Sequence, residues 1–364
     1  TTKTSVYVLA RAFPLSEPLI CIGAIMAAFP IFFAVIENDL RRVLAYSLIN
    51  QVGFMVVGIG IGTELSINGT AAHAFAHILY KALLFMSVGS IIYRTGKVNA
   101  TDLGGLYKTM PLTCIFCIIG AASISAFPLF SGFVSKSMVM SAAADKHLII
   151  IWFVLLFASA GVFHHAGIKV PFFAFFSHDS GIRTKEPPLN MLIAMGITAA
   201  LCIYIGCFPD MLYSILPFPV DYEPYTMSHV MSQLQLLFFS ALAFTFLLLA
   251  GIYPAEIKAI NLDADWLYRK GAMGFLWLLE NPLAWFGNQV KATFFVTIPQ
   301  SCIWFSRNPL MALKMAGNSI ALAVFEESFT KEKVERIRRR IVEELTDYPG
   351  DVIRYSHVGT TVIW

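Results

Sequence analysis

The sequence predicts an all-α protein, a polytopic bundle of transmembrane helices. Three observations carry this. Of 364 residues, 57% are hydrophobic and only 13% charged, whereas soluble domains carry about a quarter charged residues. The apolar residues gather into runs such as Leu19 to Ile36, Leu148 to Phe163 and Leu236 to Ile252, and one crossing of a bilayer needs roughly 20 mainly apolar residues. Finally, lysine and arginine alternate between rich and poor connections along the chain, the pattern that membrane insertion imposes.

These runs predict spans at 1–12, 19–36, 43–61, 69–93, 112–144, 148–174, 189–208 and 234–252. The segment 112–144 contains Ala126-Phe-Pro-Leu-Phe-Ser-Gly132. Proline removes a backbone donor and glycine loosens the chain, so this helix is expected to break between Ala126 and Gly132. A break inside a membrane is tolerated only where protein or a hydrated cavity satisfies the freed backbone groups. Counted as one crossing, 112–144 leaves Arg41 and Arg42, then Arg94, Lys97 and Lys108, then Arg183 and Lys185, all on one side. The other side carries Arg11, at a helix end, and Lys146, which breaks the pattern. The positive-inside rule puts the rich side, and the tail after it, in the cytoplasm. The expected organisation is a helix bundle over 1–252 and a cytoplasmic and interfacial tail over 253–364. In the tail, 273–287 and 292–305 are short and carry Pro282 and Pro299, which suggests interfacial segments. Residues 324–345 are charged enough to form a soluble helix. The chain opens on Thr1 inside a helix, so an N-terminal truncation is expected.

Several function classes find no support. A net charge of +3 without interleaved aromatic and basic clusters speaks against nucleic acid. There is no phosphate-binding glycine loop, nucleophile elbow, His-Glu-x-x-His site or haem-attachment motif. Cys114-x-x-Cys117 has metal-site spacing but lies mid-helix with no second pair, and reads as filler facing lipid or core. No cofactor or metal site is therefore expected.

The chemistry concentrates in the fourth span. His73, His77 and Lys81 lie at i, i+4 and i+8, within about an 80° sector of one face, each step rising about 6 Å. One or two waters can bridge such a step, so a proton can pass along the stripe. Lys81 is mid-span, too deep to snorkel, where a lysine costs ~2.5–3.5 kcal/mol on insertion scales. A lysine in that setting can exchange its proton near neutral pH. The plainer reading is that the three groups only hydrogen-bond neighbouring helices, but three ionisable side chains on one stripe in mid-membrane favour function. Lys136, four residues after Gly132, is the second candidate, against an interfacial lysine on a short helix. Lys3 on the first span says little by itself. His164, His165 and Lys169 near the end of the sixth span suit proton access and interfacial anchoring equally well.

Four stretches together resemble a known family. They are Lys3-Thr-Ser-Val-Tyr-Val-Leu-Ala-Arg11, Glu37-Asn-Asp-Leu-Arg-Arg-Val-Leu-Ala-Tyr-Ser47 with Gln51-Val-Gly-Phe54, His73-x3-His77-x3-Lys81-Ala-Leu-Leu-Phe85, and Ile124 to Lys136. They resemble, in order, segments of the antiporter-like proton-translocating subunits shared by Mrp cation/proton antiporters and respiratory complex I. The resemblance covers residues 1 to about 270. Ala158 to Lys169 and Asn261 to Tyr268 are most similar to the D-type Mrp subunit. The resemblance implies the C-terminal part of an inverted-repeat fold, without the repeat that carries an inward glutamate and its lysine partner. It implies a proton relay in which Lys3 is the central link, His73, His77 and Lys81 come next, and Lys136 is terminal. It also implies partner subunits in a cell inner (plasma) membrane complex, lipid, protons and Na+ or K+. The expected function is a subunit of a multi-subunit monovalent cation/proton antiporter, with a complex I proton-pumping subunit as the alternative. A purely structural subunit is disfavoured by the buried lysines. A solitary carrier of an organic substrate is disfavoured by the lack of a mid-membrane carboxylate or substrate-sized polar cluster.

Overall fold

A computed structural model describes residues 2–252, 264–325 and 329–347. The chain divides into two units, Thr1–Asn261 and Leu262–Trp364. Among the described residues there is no strand.

The first unit is a helix bundle. Its elements are α1 (Thr2–Ala12), α2 (Glu17–Ile36), α3 (Leu40–Ile61), α4 (Glu64–Thr95), α5 (Pro111–Ile124), α6 (Ser131–Asp145) and α7 (Ile149–Val162). After Val162 the same span continues in wider, π-type turns to Phe176. Then follow α8 (Leu189–Cys207), a short α9 (Pro209–Tyr213) and α10 (Met227–Leu249). Six of these spans are long and apolar enough to cross a membrane. The central ones are α3 and α4, with α3 buried along most of its length. The pairing of α2 with α3 rests on small residues: a Cβ on Gly23 would come within 2.6 Å of the Val57 nitrogen. Around α4 pack α3, α5, α6 and α8.

Helix ends follow local chemistry. Asp39 caps α3 by accepting from the Arg41 N–H at 2.8 Å. The Thr63 side chain caps α4 at Ser66, which starts that helix at Glu64 and not at the first apolar residue. Thr226 likewise caps α10 at His229, so it starts at Met227, seven residues ahead of the predicted span. Polar first turns are invisible to a hydropathy reading, and capping explains both extensions.

The 111–145 segment is broken as its sequence predicts. Helix α5 ends at Ile124 and α6 begins at Ser131. Between them Ala126 and Leu129 adopt left-handed backbone, with φ of 57° and 72°. Side chains from later elements meet the freed groups: Gln233 donates to the Ser125 carbonyl at 3.1 Å, and the Leu129 N–H donates to the Tyr225 hydroxyl at 3.3 Å. Gly132 has no room for a side chain, since a Cβ there would run into the Ser123 carbonyl.

The basic connections converge on one end of the bundle. Asn38 donates to Thr101 at 3.1 Å, and Asp39 bridges to Asn99. The Arg94 side chain donates to the Glu186 carbonyl at 2.9 Å. The Glu186 carboxylate caps α5, accepting from Leu112 N–H at 2.6 Å and the Thr113 hydroxyl at 2.6 Å. Asp179 accepts from both Arg183 and Lys108, and those bonds hold its carboxyl well below the usual carboxylate range.

In the second unit, the two short segments expected around 273–287 and 292–305 are instead one continuous helical run over 264–307. Pro282 sits within a wider turn, Leu279–Leu283, which absorbs its missing donor. Pro299 is the second residue of Ile298–Arg307, just after another wide turn, Thr293–Thr297. Pro309–Phe325 and Lys331–Asp347 follow as separate helices. Part of the Asn261 to Tyr268 stretch lies outside the described residues, as does the chain beyond Asp347.

Candidate functional site

Helix α4 places His73, His77 and Lys81 inside the bundle; their exposures are 0%, 2% and 4%. None of the three faces the bundle exterior, although Phe75 and Ile78 of the same helix do. The His73 and His77 ring centroids are 6.3 Å apart. Lys81 Nζ lies 5.8 Å from the Phe85 ring centroid. Neither Lys81 Nζ nor His77 Nε2 makes a hydrogen bond.

The His73 end of the stripe joins α6. His73 Nδ1 is 3.2 Å from the Ser135 hydroxyl. The next residue, Lys136, is fully buried, donates to the Ile124 carbonyl at 3.0 Å and lies 5.2 Å from the Phe54 ring centroid. That carbonyl belongs to the last turn of α5, where helical carbonyls lack intrahelical donors and the macrodipole is negative. The broken helix therefore supplies a seat for the lysine cation. On the other flank, Lys3 of α1 donates to Met55 Sδ of α3 at 3.1 Å. Its charge reaches Lys81, His77 and His73, while that of Lys136 reaches both histidines.

The fold thus brings all five residues singled out from sequence into one neighbourhood. The stripe residue that meets α6 is His73, at Ser135 next to Lys136 in sequence; Lys81 lies at the far end of the stripe, about 12 Å along the helix. The fold also adds residues that the sequence reading passed over. Tyr80 is wholly buried, donates to Gln51 Oε1 at 3.1 Å and lies 3.5 Å from His73 Nε2. Gln51 in turn donates to Asn50 at 2.7 Å. A polar chain from Asn50 through Gln51, Tyr80 and His73 to Ser135 runs beside the ionisable line. Its available signal was the trio Ser47, Asn50 and Gln51 in the middle of an apolar span. Cys114 and Cys117 both pack in the hydrophobic core.

Comparison with known proteins fits this geometry. The family described as NADH:quinone oxidoreductase/Mrp antiporter, transmembrane region, matches residues 1–163. That stretch contains Lys3, the α4 stripe and Lys136. Residues 1–163 are thus similar to the antiporter-like subunits. An uncharacterised protein of Methanocaldococcus jannaschii is 30% identical over 204 residues, which is 54% of this chain and 42% of that one. NADH-ubiquinone oxidoreductase chain 5 of Allomyces macrogynus is 31% identical over 228 residues, 58% of this chain and 35% of that one. The chain spans less than half the length of these relatives. The structure of the membrane-bound sulfane sulfur reductase, an archaeal respiratory membrane complex, contains a chain 26% identical with a TM-score of 0.51. The match covers 83% of this chain and 52% of that one.

Proposed function

We propose that the chain moves protons along the line Lys3, Lys81, His77, His73 and Lys136, as part of a multi-subunit membrane complex. The observation that carries this reading is Lys81: a buried ammonium with no hydrogen-bond partner, in the field of the half-buried Lys3. A structural lysine would be paired or capped, because an unpaired buried charge is costly. Charging one lysine disfavours charging its neighbour, which drives protons forward one site at a time. The imidazoles, with two ring nitrogens each, suit the intermediate steps. Lys136, seated on the α5 carbonyl end, is the terminal acceptor.

The antiporter reading couples this movement to Na+ or K+. A second reading, a proton-pumping subunit of a quinone-reducing or related redox complex, is favoured by the 31% identity to NADH-ubiquinone oxidoreductase chain 5. In either case the end carrying Arg41, Arg42, Arg94, Lys108 and Arg183 faces the cytoplasm by the positive-inside rule. The test that separates the two uses the native complex in sealed inverted vesicles. Proton movement that follows added Na+ or K+ with no electron donor supports the antiporter. Movement that requires electron flow to a quinone or another acceptor supports the redox complex.

A further inference from the structure

The proton line uses His73 and His77 on one face of α4 and leaves a third buried histidine unexplained. Beyond Val162 the helix widens over Phe163–Lys169. This segment packs against α5 and α3, and it carries His165 and Lys169 into the bundle, both with no exposed surface. The two residues are four apart and share a face.

Lys169 has a full account. Its ammonium donates to the carbonyls of Val35 at 2.6 Å, Glu37 at 2.7 Å and Ala34 at 3.3 Å. Three donors meet three acceptors at the carbonyl end of α2, which suits a permanent cation. Beside it, Glu37 is buried. Its Oε1 accepts from the Asn38 and Asp39 N–H groups at 2.9 and 3.1 Å. Its Oε2 makes no hydrogen bond and lies 3.8 Å from the Arg42 guanidinium, whose side chain is 54% exposed. The corner formed by Lys169 and Glu37 therefore leads to the surface through one arginine.

His165 has no such account. Neither ring nitrogen makes a hydrogen bond of good geometry, although the Gly161 carbonyl one turn back is within reach of the ring. The groups acting on it are Lys81 of α4 and, from its own segment, His164 and Lys169. A buried imidazole with unmatched nitrogens is expensive if its role is only to fill space. It is well suited to a proton in transit, since it accepts on one nitrogen and releases from the other with no net change.

We infer that His165 is a proton-carrying link joining Lys81 to the Lys169–Glu37 corner, so that the mid-membrane line has a side branch opening at the Arg41–Arg42 loop. The inference rests on the relay role given above to Lys81. In the branch, Glu37 exchanges protons with the loop and His165 passes them to or from Lys81.

The test compares His165→Gln with His165→Glu in the full-length protein within its complex, in inverted vesicles. The two substitutions have the same shape, and only glutamate can carry a proton. The expected result is that His165→Gln lowers proton flux on the order of 100-fold, the contribution typical of a positioned proton-transfer group. His165→Glu should retain flux, with a displaced pH optimum. Wild-type flux in His165→Gln, or equal loss in both variants with assembly intact, overturns the branch. Glu37→Gln gives an independent reading at the corner, where lowered flux supports the branch and wild-type flux overturns it. Lys81→Arg is measured alongside: normal flux there removes the relay itself, whereas failure there with a normal His165→Gln removes only the branch.

Discussion

Lys136 reaches across the break in its own helix to the Ile124 carbonyl, 3.0 Å away. One interruption thus does two jobs: it ends α5 with a carbonyl that needs a donor, and it starts α6 so that a lysine one turn in can supply it. Replacing Lys136 with methionine keeps the aliphatic stem and removes the ammonium. The variant should lose proton flux by on the order of 100-fold, the low end for a proton-transfer group. It should also lose about 1–3 kcal/mol of stability, because the Ile124 carbonyl is left unsatisfied. Flux in inverted vesicles and thermal unfolding in detergent check the two effects separately.

The break depends on groups that hold its backbone open. The Tyr225 hydroxyl accepts from Leu129 and donates to the Gly206 carbonyl. Tyr225→Phe should cost about 1–3 kcal/mol through those two backbone groups. Gly132→Ala should be worse, because its Cβ collides with the Ser123 carbonyl, which as backbone cannot turn aside. The measure is the yield of assembled complex: near-normal for Tyr225→Phe, sharply reduced for Gly132→Ala.

Much of this was legible in the sequence, and the gaps have physical causes. Pro128 and Gly132 announced the break, and the four-residue spacing of His73, His77 and Lys81 announced a single face. The clamp by Tyr225 and Gln233 was not legible, because each lies about a hundred residues from the backbone group it satisfies. Gln51 and Tyr80 were hidden by the same non-locality: a polar side chain on one span says little until its partner on another is known. Pro282 and Pro299 helped make 273–287 and 292–305 read as two short segments, yet wide turns at or just before each carry the helix onward. His165 was caught between proton access and interfacial anchoring because nothing in the sequence told that the helix widens after Val162 and turns His165 into the bundle.

The loop from Ser177 to Glu186 should hold through moderate acidification. Hydrogen bonds from Arg183 and Lys108 hold the Asp179 carboxyl well below its ordinary range. For a carboxyl held low in this way, the contribution to loop stability is fully present above the unfolded-state value, about 3.9. It is lost only as pH falls from there through the folded-state value. Amide exchange at Gly181, whose N–H donates to Asp179 at 3.0 Å, should therefore stay protected between about pH 8 and 5, after correction for intrinsic exchange. Asp179→Ala, which removes the acceptor, should remove that protection at every pH.

The central claim is that Lys81 gives up and regains a proton in each cycle. Arginine preserves the charge but holds its proton at any accessible pH. Alanine removes the charge, and with it any unpaired cation that could destabilise the fold. The most direct measurement is proton flux in inverted vesicles bearing the full complex with Lys81→Arg or Lys81→Ala, with assembly verified on the same membranes. The account predicts that both variants assemble, that Lys81→Ala abolishes most flux, and that Lys81→Arg fails or slows strongly. Normal flux in Lys81→Arg would contradict it and leave Lys81 as a fixed charge in the membrane.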